Sequence, residues 1–366
     1  MGDNRATADL MAIMPELADN LVLQTATITD AVKRLDSAAM KLVVVVDDER
    51  RLIGTISDGD VRRGLLRGVN LSSPVGEIMN RSPVSWRPGE DRAAALAEMR
   101  TRLVRILPVL DEAGRLVELE EVDDSAAESD RPNLVVIMAG GRGSRLAPLT
   151  EDCPKPMLKV GDRPILQTII EQLRAQGFRR FCLSLNYMAE VVSDHFGDGE
   201  RFGVEISYVH ETEPKGTAGA LSLLREKPEH PIIVLNGDLL TQLDFGQLLA
   251  FHAEHQSAAT VCLRQYEFQV PYGAVDVDGL NIASIREKPV FRCFVAAGIY
   301  CFDPEVLELV PRDGKVDMPE LISGMLEQGR AIRSFPIHEY WLDIGRMPDF
   351  QAAQSDYGRI FVEARK

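Results

Sequence analysis

The order of apolar and polar positions along the chain changes period many times. Near-continuous apolar runs at 134–138, 181–185 and 231–235 have the length of strands buried on both faces. Between the first two, Ile165, Ile169, Ile170 and Leu173 recur at helical spacing across 164–176, and Gly177 stops the pattern. Further on, the pattern predicts helices over 189–196, 217–225, 245–255 and 318–328, and another from 348 onward. Strands are expected at 204–209, 259–263 and 294–302, with a hairpin around Val275 to Gly279. Strands alternating with helices predict an α/β class: a three-layer, Rossmann-like unit on a mostly parallel, mixed sheet.

The front of the chain carries a weak internal repeat at an offset of 64 residues, 45–53 aligning with 109–117. Each copy reads as a strand, a polar turn, a second strand and helix-like residues. Helical stretches precede them at 28–39 and 93–102. The composition changes at 119–133, where Glu120, Glu121, Asp123, Asp124, Glu128 and Asp130 crowd with small polar residues and Pro132. The expected organisation is a tandem αβ pair over 1–124 (repeats at about 15–70 and 74–124), an acidic linker at 125–132 and an α/β domain over 133–366.

Among 366 residues, 45% are hydrophobic and 27% charged, an ordinary balance for a chain with a large core. The net charge of −15 argues against general nucleic-acid binding, which needs a basic face. The five cysteines are scattered without a C-x-x-C pair, which suits reduced thiols in a cytoplasm and excludes a zinc ribbon. No signal core opens the chain and no apolar run approaches the ~18 residues that span a bilayer. A cytoplasmic location without membrane contact is therefore expected, with no added acyltransferase domain after Lys366. His252 and His255 read as a solvated pair on one helix face.

The most informative stretch follows the first apolar run. Gly140, Gly141 and Gly143 let backbone N–H groups approach an anion, and Arg142, Arg145 and Lys155 supply positive charge nearby. A loop at the carboxyl end of a parallel strand is where open α/β sheets bind nucleotides. The spacing is neither that of a dinucleotide loop nor that of a P-loop. Two aspartates suit a Mg²⁺ ion: Asp238, directly after a buried strand, and Asp343 in Trp341-Leu-Asp-Ile-Gly345. Asp238 alone would read as a turn or helix N-cap. No Ser or Cys stands out as a nucleophile.

The run 139–158 resembles the G-G-x-G-x-R-L-x-P-L-T-x-x-x-P-K-P-M-L segment of sugar-1-phosphate nucleotidyltransferases, closest to the mannose-1-phosphate guanylyltransferase type. Further motifs of that family follow in order. They are Asn186-Tyr187, Gly216-Thr-Ala-Gly219, Asn236-Gly-Asp238, Tyr272-Gly273, Glu287-Lys288-Pro289, Gly298-Ile-Tyr300 and the Trp341 to Gly345 segment. The resemblance implies Arg145 and Lys155 at the triphosphate and reacting phosphates, and Ala139, Gly140, Gly141, Gly143, Gly216, Thr217 and Ala218 around the nucleotide. It implies Tyr272, Gly273, Glu287 and Gly298 at the sugar, Lys288 at its phosphate, and Asp238 and Asp343 on Mg²⁺. The substrates would be a nucleoside triphosphate and a sugar 1-phosphate. Ala296 stands where guanylyltransferases carry Asn, so the sugar does not carry over.

The front repeat resembles a pair of CBS domains. Gly54, Ser57 and Asp60 match that family's G-x-x-[ST]-x-x-D pattern, implying an adenine-nucleotide effector site. The second copy has Glu118 and Glu121 at the equivalents of Gly54 and Ser57 and keeps only Asp124; dimerisation alone is the other use of such a pair. A CBS pair ahead of this domain is similar to glucosamine-1-phosphate guanylyltransferases of legionaminic acid biosynthesis. That similarity implies GTP as donor, glucosamine 1-phosphate or a related hexose 1-phosphate as acceptor, and a homo-oligomer. UTP, CTP or dTTP as donor is the nearest alternative. A catalytically silent sensor of nucleotide and sugar phosphate is a reading from another class. An NAD-dependent dehydrogenase fails on glycine spacing and the absence of an acid–base His.

Overall fold

The 64-residue repeat folds as two related halves. In the computed structural model, which describes residues 15–38, 40–101, 104, 106–121, 130–358 and 360, the chain divides into units Met1–Ala127 and Glu128–Lys366. The first half of the front unit runs β1 (Leu21–Leu23), helix Ile28–Ser37, β2 (Leu42–Val46), β3 (Leu52–Ser57) and helix Asp58–Leu66. The second runs helix Arg92–Thr101, β4 (Ile106–Leu110) and β5 (Leu116–Glu121).

The halves meet through reciprocal backbone bonds. Leu52 N–H donates to the Gly114 carbonyl and Leu116 N–H to that of Arg50, both at 3.1 Å, around a bridge between Arg51 and Arg115. These positions are separated by the repeat offset, so each bond is the image of the other about a local two-fold axis. In each copy one aspartate shapes the turn: Asp47 Oδ1 accepts from the N–H groups of Glu49 and Arg51, Asp111 Oδ1 from those of Ala113 and Arg115. Val44 and Val46 of the first copy share one apolar cluster with Ile106, Leu110 and Leu116 of the second. The sequence repeat is thus a single packed pair.

The second unit is built on a seven-stranded sheet, β10–β9–β6–β11–β16–β13–β17. Its strands are β6 (Arg131–Met138), β9 (Phe178–Leu185), β10 (Glu205–His210), β11 (Ile232–Asn236), β13 (Ala259–Gln269), β16 (Val290–Phe302) and β17 (Ile332–Ile337). Only β16 runs antiparallel to its neighbours; the other pairs are parallel. Smaller ladders pair β7 (Lys159–Val160) with β8 (Arg163–Pro164), β12 (Leu239–Thr241) with β18 (Trp341–Asp343), and β14 (Ala274–Asp278) with β15 (Asn281–Arg286).

Successive residues of β6 enter different cores. Val135 and Ile137 join the cluster under helices Ile165–Ala175, Ala189–Phe196 and Phe245–Glu254, while Val136 packs with Cys182, Val234 and helix Met318–Glu327. Both faces of the strand are covered, which is why its apolar run is unbroken. The expected three-layer α/β arrangement with a mostly parallel sheet is the one observed.

Some expected bounds differ. The strands expected at 259–263 and 294–302 extend to Gln269 and back to Val290, paired throughout from Leu263–Ala296 to Gln269–Val290. Most side chains on these extensions are exposed, so backbone pairing outlasts the buried pattern that reveals strands. In place of a helix over 217–225 there is one α-turn, Gly216–Gly219, and a 3₁₀ segment, Ala220–Leu223. The surface reading of His252 is corrected: it is buried and bonded to Thr260 Oγ1 (2.9 Å) and Asp303 Oδ1 (3.3 Å), while His255 is exposed. Of the stretch 125–132, residues 125–129 lie outside the described residues, and Arg131 and Pro132 open β6. Among the described residues no helix is long and apolar enough to cross a membrane.

Ile170, fully buried between its helix and the sheet, tests this layering. Ile170→Ala is expected to cost about 2–5 kcal/mol in the unfolding transition of the second unit. A loss of only a few tenths in denaturant titration would show that the interface repacks.

Candidate active site

At Met138 the chain leaves β6 and bends through the glycine-rich loop. Ala139 N–H donates to the Ser184 carbonyl (2.9 Å) and Tyr187 N–H to that of Gly140 (3.4 Å), tying the loop to the end of β9. Arg142 lies over the Tyr187 ring, 5.8 Å from its centroid. Gly143 has a φ of 63°, and a Cβ there would come within 2.8 Å of Lys155 Cβ; only glycine lets the Pro154-Lys-Pro turn pack so closely. That turn forms a 3₁₀ segment, Lys155–Met157. Lys155 is buried at 7% exposure and pairs through Nζ with Asp238 Oδ2. An ammonium held out of water needs such a partner, since burying it alone costs several kcal/mol.

The loop after β11 carries Asp238 to this point. Gly237 N–H donates to the Met138 carbonyl (2.9 Å), which holds the Asn-Gly-Asp segment beside the end of β6. The pairing of β12 with β18 sets Leu239 opposite Asp343, and Ile344 N–H donates to the Asp238 carbonyl (3.1 Å). Trp341 anchors β18 by donating Nε1–H to the Ala297 carbonyl (2.9 Å). Next to it Gly298 faces Asn236, whose Nδ2 is 2.6 Å from where a Cβ at 298 would sit.

Partial desolvation of its carboxyl raises the pKa of Asp343, an otherwise exposed residue, and the negative charge of Asp238 raises it further; Lys155 and Arg145 pull the other way. A Cβ built on Gly345 would lie 3.7 Å from Asp343 Oδ1, 3.7 Å from Asp349 Oδ2 and 3.9 Å from Arg145 Nη1. Arg145, Lys155, Asp238 and Asp343 therefore form one group, with Asp349 at its margin. Asp238 Oδ1 is buried and has no hydrogen-bond partner. Two converging carboxylates, one with a buried free oxygen and one destabilised by the other's charge, suit a hard divalent cation such as Mg²⁺.

The Gly216-Thr-Ala-Gly219 turn is held from a distance. Thr217 N–H donates to Asp317 Oδ1 (3.0 Å), Met318 N–H donates to Thr217 Oγ1 (2.8 Å), and the N–H groups of Ala218 and Gly219 both reach the Val316 carbonyl (3.0 Å). Gly216 adopts a φ of 81°, and a Cβ there would come within 2.5 Å of the Val316 oxygen. The hydrogen bond from the Thr217 backbone, helped by the nearby Lys315, lowers the pKa of Asp317. Sequence reading passed over Asp317. Its D-x-x-E start to helix Met318–Glu327 shows a capping box, but not that the cap also grips a turn a hundred residues earlier.

Glu211 was missed as well. It accepts from Ser184 Oγ (2.7 Å) and Lys215 N–H (2.9 Å), and its Oε1 lies 3.3 Å from where a Cβ on Gly140 would sit. It therefore braces the glycine loop against the turn that begins at Gly216, and no motif announces it.

The remaining expected site residues form a second group. Lys288 N–H donates to the Tyr272 carbonyl (3.2 Å), and Glu287 Oε2 lies 3.4 Å from where a Cβ on Gly273 would sit. Lys288 holds a φ of 43°, strain of about 1–3 kcal/mol for a non-glycine residue and typical of functional positions. In the front unit, Ser57 caps helix Asp58–Leu66. Asp60 Oδ2 accepts from Ser57 N–H (2.9 Å) and Oγ (2.7 Å), while Oδ1 pairs with Arg63 (2.7 Å). Gly54 lies in β3 against Met79 and Asn80; Asp124 lies outside the described residues.

The sequence profile of the nucleotidyl transferase family matches residues 134–359, the span that builds the Lys155–Asp238–Asp343 group. The chain belongs to the nucleotidyl transferase family. Two CBS domains precede this span, matched at 21–67 and 75–118. Among relatives of this chain, a mannose-1-phosphate guanylyltransferase catalytic subunit beta from Drosophila pseudoobscura pseudoobscura is 37% identical over 226 residues, covering 59% of this chain and 60% of the relative. A UTP–glucose-1-phosphate uridylyltransferase from Synechocystis is 31% identical over 238 residues, covering 60% and 61%. The chain thus spans about three fifths of the length of these relatives. Among solved structures, HddC from Yersinia pseudotuberculosis matches with a TM-score of 0.49 at 28% identity, covering 62% of this chain and 99% of that one.

Asp317→Ala should loosen the Thr217 turn as well as uncap its helix, which costs about 1 kcal/mol. Hydrogen exchange over 216–219 is expected to speed up in the variant; unchanged exchange there would separate Asp317 from the turn. Partial desolvation and the Asp238 charge raise the pKa of Asp343, so at pH values above its folded-state pKa the carboxylate slightly destabilises the metal-free folded chain, the effect being screened because the residue is exposed. Asp343→Asn should therefore raise the Tm of metal-free protein at neutral pH. The gain should fade as the pH falls through the folded-state pKa, where Asp343 itself becomes neutral. A lower Tm in calorimetry at neutral pH would refute this.

Proposed function

We propose that this chain transfers a nucleotidyl group from a nucleoside triphosphate to a sugar 1-phosphate, releasing pyrophosphate. GTP is the preferred donor in this reading, and glucosamine 1-phosphate or a related hexose 1-phosphate the acceptor. The carrying observation is the buried Lys155–Asp238 pair beside Asp343, with Asp238 Oδ1 left free at the end of a parallel strand.

The acceptor phosphate is already ionised at neutral pH, so its attack on the α-phosphorus needs no strong base. The protein's work is to hold two anions in line and to offset charge on the departing pyrophosphate. Gly140, Gly141 and Gly143, with Ala139, would receive the nucleotide, and Gly216, Thr217 and Ala218 would lie along its base. Arg145 and Lys155 would face the triphosphate; in the free protein, Asp238 holds the Lys155 ammonium in place. Tyr272, Gly273, Glu287 and Gly298 would line the sugar, and Lys288 would meet its phosphate. Asp238 and Asp343 would hold Mg²⁺, which when bound screens the phosphate oxygens and polarises the reacting phosphorus.

Support for GTP comes from the guanylyltransferases among the relatives, although the uridylyltransferase is nearly as similar. In the same reading the protein works in the cytoplasm, self-associates, and takes an adenine nucleotide at Gly54, Ser57 and Asp60 as effector.

The test is pyrophosphate release with Mg²⁺, crossing four nucleoside triphosphates with glucosamine, N-acetylglucosamine, mannose and glucose 1-phosphates. Release confined to GTP with one sugar is expected, abolished by chelator. Asp238→Asn should lower the rate at least roughly a hundredfold with the fold intact by circular dichroism. Near-normal turnover of that variant would end the assignment of Asp238.

A further inference from the structure

The hairpin β14–β15 is a two-stranded sheet of its own, separate from the main sheet. Val275 pairs with Ile285 and Val277 with Ile282, with one extra residue in β15 between these pairs. That bulge brings Ile282 and Ile285, three apart in sequence, onto the same side as Val275 and Val277. Asp276, Ser284 and Arg286 occupy the other side. Ser284 Oγ donates to Asp276 Oδ2 (2.6 Å), Arg286 reaches Asp276 at 3.4 Å, and its guanidinium lies over the Phe291 ring at 5.7 Å. The polar side is thus paired within itself and touches β16 through Arg286, although Asp276 and Arg286 are also more than half exposed. The aliphatic side is left open: Val275 is 46% exposed, Val277 70%, Ile282 and Ile285 64% each, and Leu280 at the tip fully exposed.

A lone two-stranded hairpin is marginal in water, and stable sheets cover their apolar face. Together these residues form a patch on the order of a few hundred Å², the size of the largest apolar patch on a typical monomer. A standard interface takes about 800 Å² from each partner, so such a patch would serve as its core. The chain's net charge of −15 makes two copies repel over most of their surface, and this face carries no charge to oppose contact. An uncharged aliphatic surface can pack against its own copy, which is what a two-fold contact requires.

We propose that a second copy of this chain docks here, hairpin face against hairpin face across a two-fold axis. The docking stands apart from the transferase reading, but it has a consequence for it. Ile285 Cγ2 lies 3.8 Å from where a Cβ on Gly273 would sit, so the covered face is continuous with the turn holding Tyr272, Glu287 and Lys288. Docking would stiffen that turn.

The test uses the full chain, with molar mass measured by light scattering for the wild type and for a variant carrying Val277→Asp and Ile282→Asp. Both side chains are exposed within one chain, so circular dichroism should show the fold of the variant unchanged, while its Tm loses any dependence on protein concentration. The expected result is a halved mass for the variant. A monomeric wild type, or a variant that keeps the wild-type mass because the front unit alone joins the copies, overturns the proposal. Hydrogen exchange at low and high protein concentration gives a second readout. Slower exchange over 274–286 at high concentration is expected; exchange independent of concentration would mean that no second copy covers the face.

Discussion

Lys155 and Asp238 come from separate loops beside the glycine-rich turn, and their ion pair is the contact on which the rest of the site depends. It joins the Pro154-Lys-Pro turn to the segment that follows β11, across the ends of two adjacent parallel strands. Because the ammonium is buried, it cannot be left without that partner at tolerable cost. Gly143 must be glycine so that Lys155 can approach, and Gly237 must lie against Met138 so that Asp238 can. The pair uses one Asp238 oxygen and leaves the other buried and free. A site that keeps a buried carboxylate oxygen without a partner stores instability that a bound cation would relieve.

The same economy explains Asp343. Its position opposite Leu239 places two carboxylates together with no benefit to the fold, and desolvation first, then the Asp238 charge, raises its pKa. Trp341, bonded to the Ala297 carbonyl, holds the strand there regardless. Nucleotidyl transferases must gather negative phosphates, and an acidic chain can do so where cations and a metal site converge. Lys288, strained into the left-handed region beside Tyr272, belongs to the same pattern of local disfavour held by surrounding structure.

The two units use repetition and layering differently. In the front unit a modest repeat becomes a local two-fold axis, because backbone groups at matching positions bond reciprocally around Arg51 and Arg115. In the second unit the layers are supplied by strands buried on both sides, and the functional loops lie at their ends. The β14–β15 hairpin departs from both patterns: its polar side is paired within itself, and its aliphatic side is left exposed.

Apolar period and ordered motifs determined much of this protein before any coordinates. They carried the α/β class, the repeat in front, the glycine loop, and both acidic motifs, because short-range spacing encodes strands, turns and the residues at their ends. The reach of β13 and β16 beyond the core was not legible, since exposed paired backbone leaves no apolar signature. Nor was the burial of His252, which depends on Thr260 and Asp303 folding over it. Above all, the tertiary structure decided which distant residues meet. Asp317 hydrogen-bonds Thr217, and Glu211 packs against Gly140, across long stretches of chain, and no local pattern encodes such a contact. The free oxygen of Asp238 belongs with them: a motif names the aspartate, but only packing determines which of its oxygens is left without a partner.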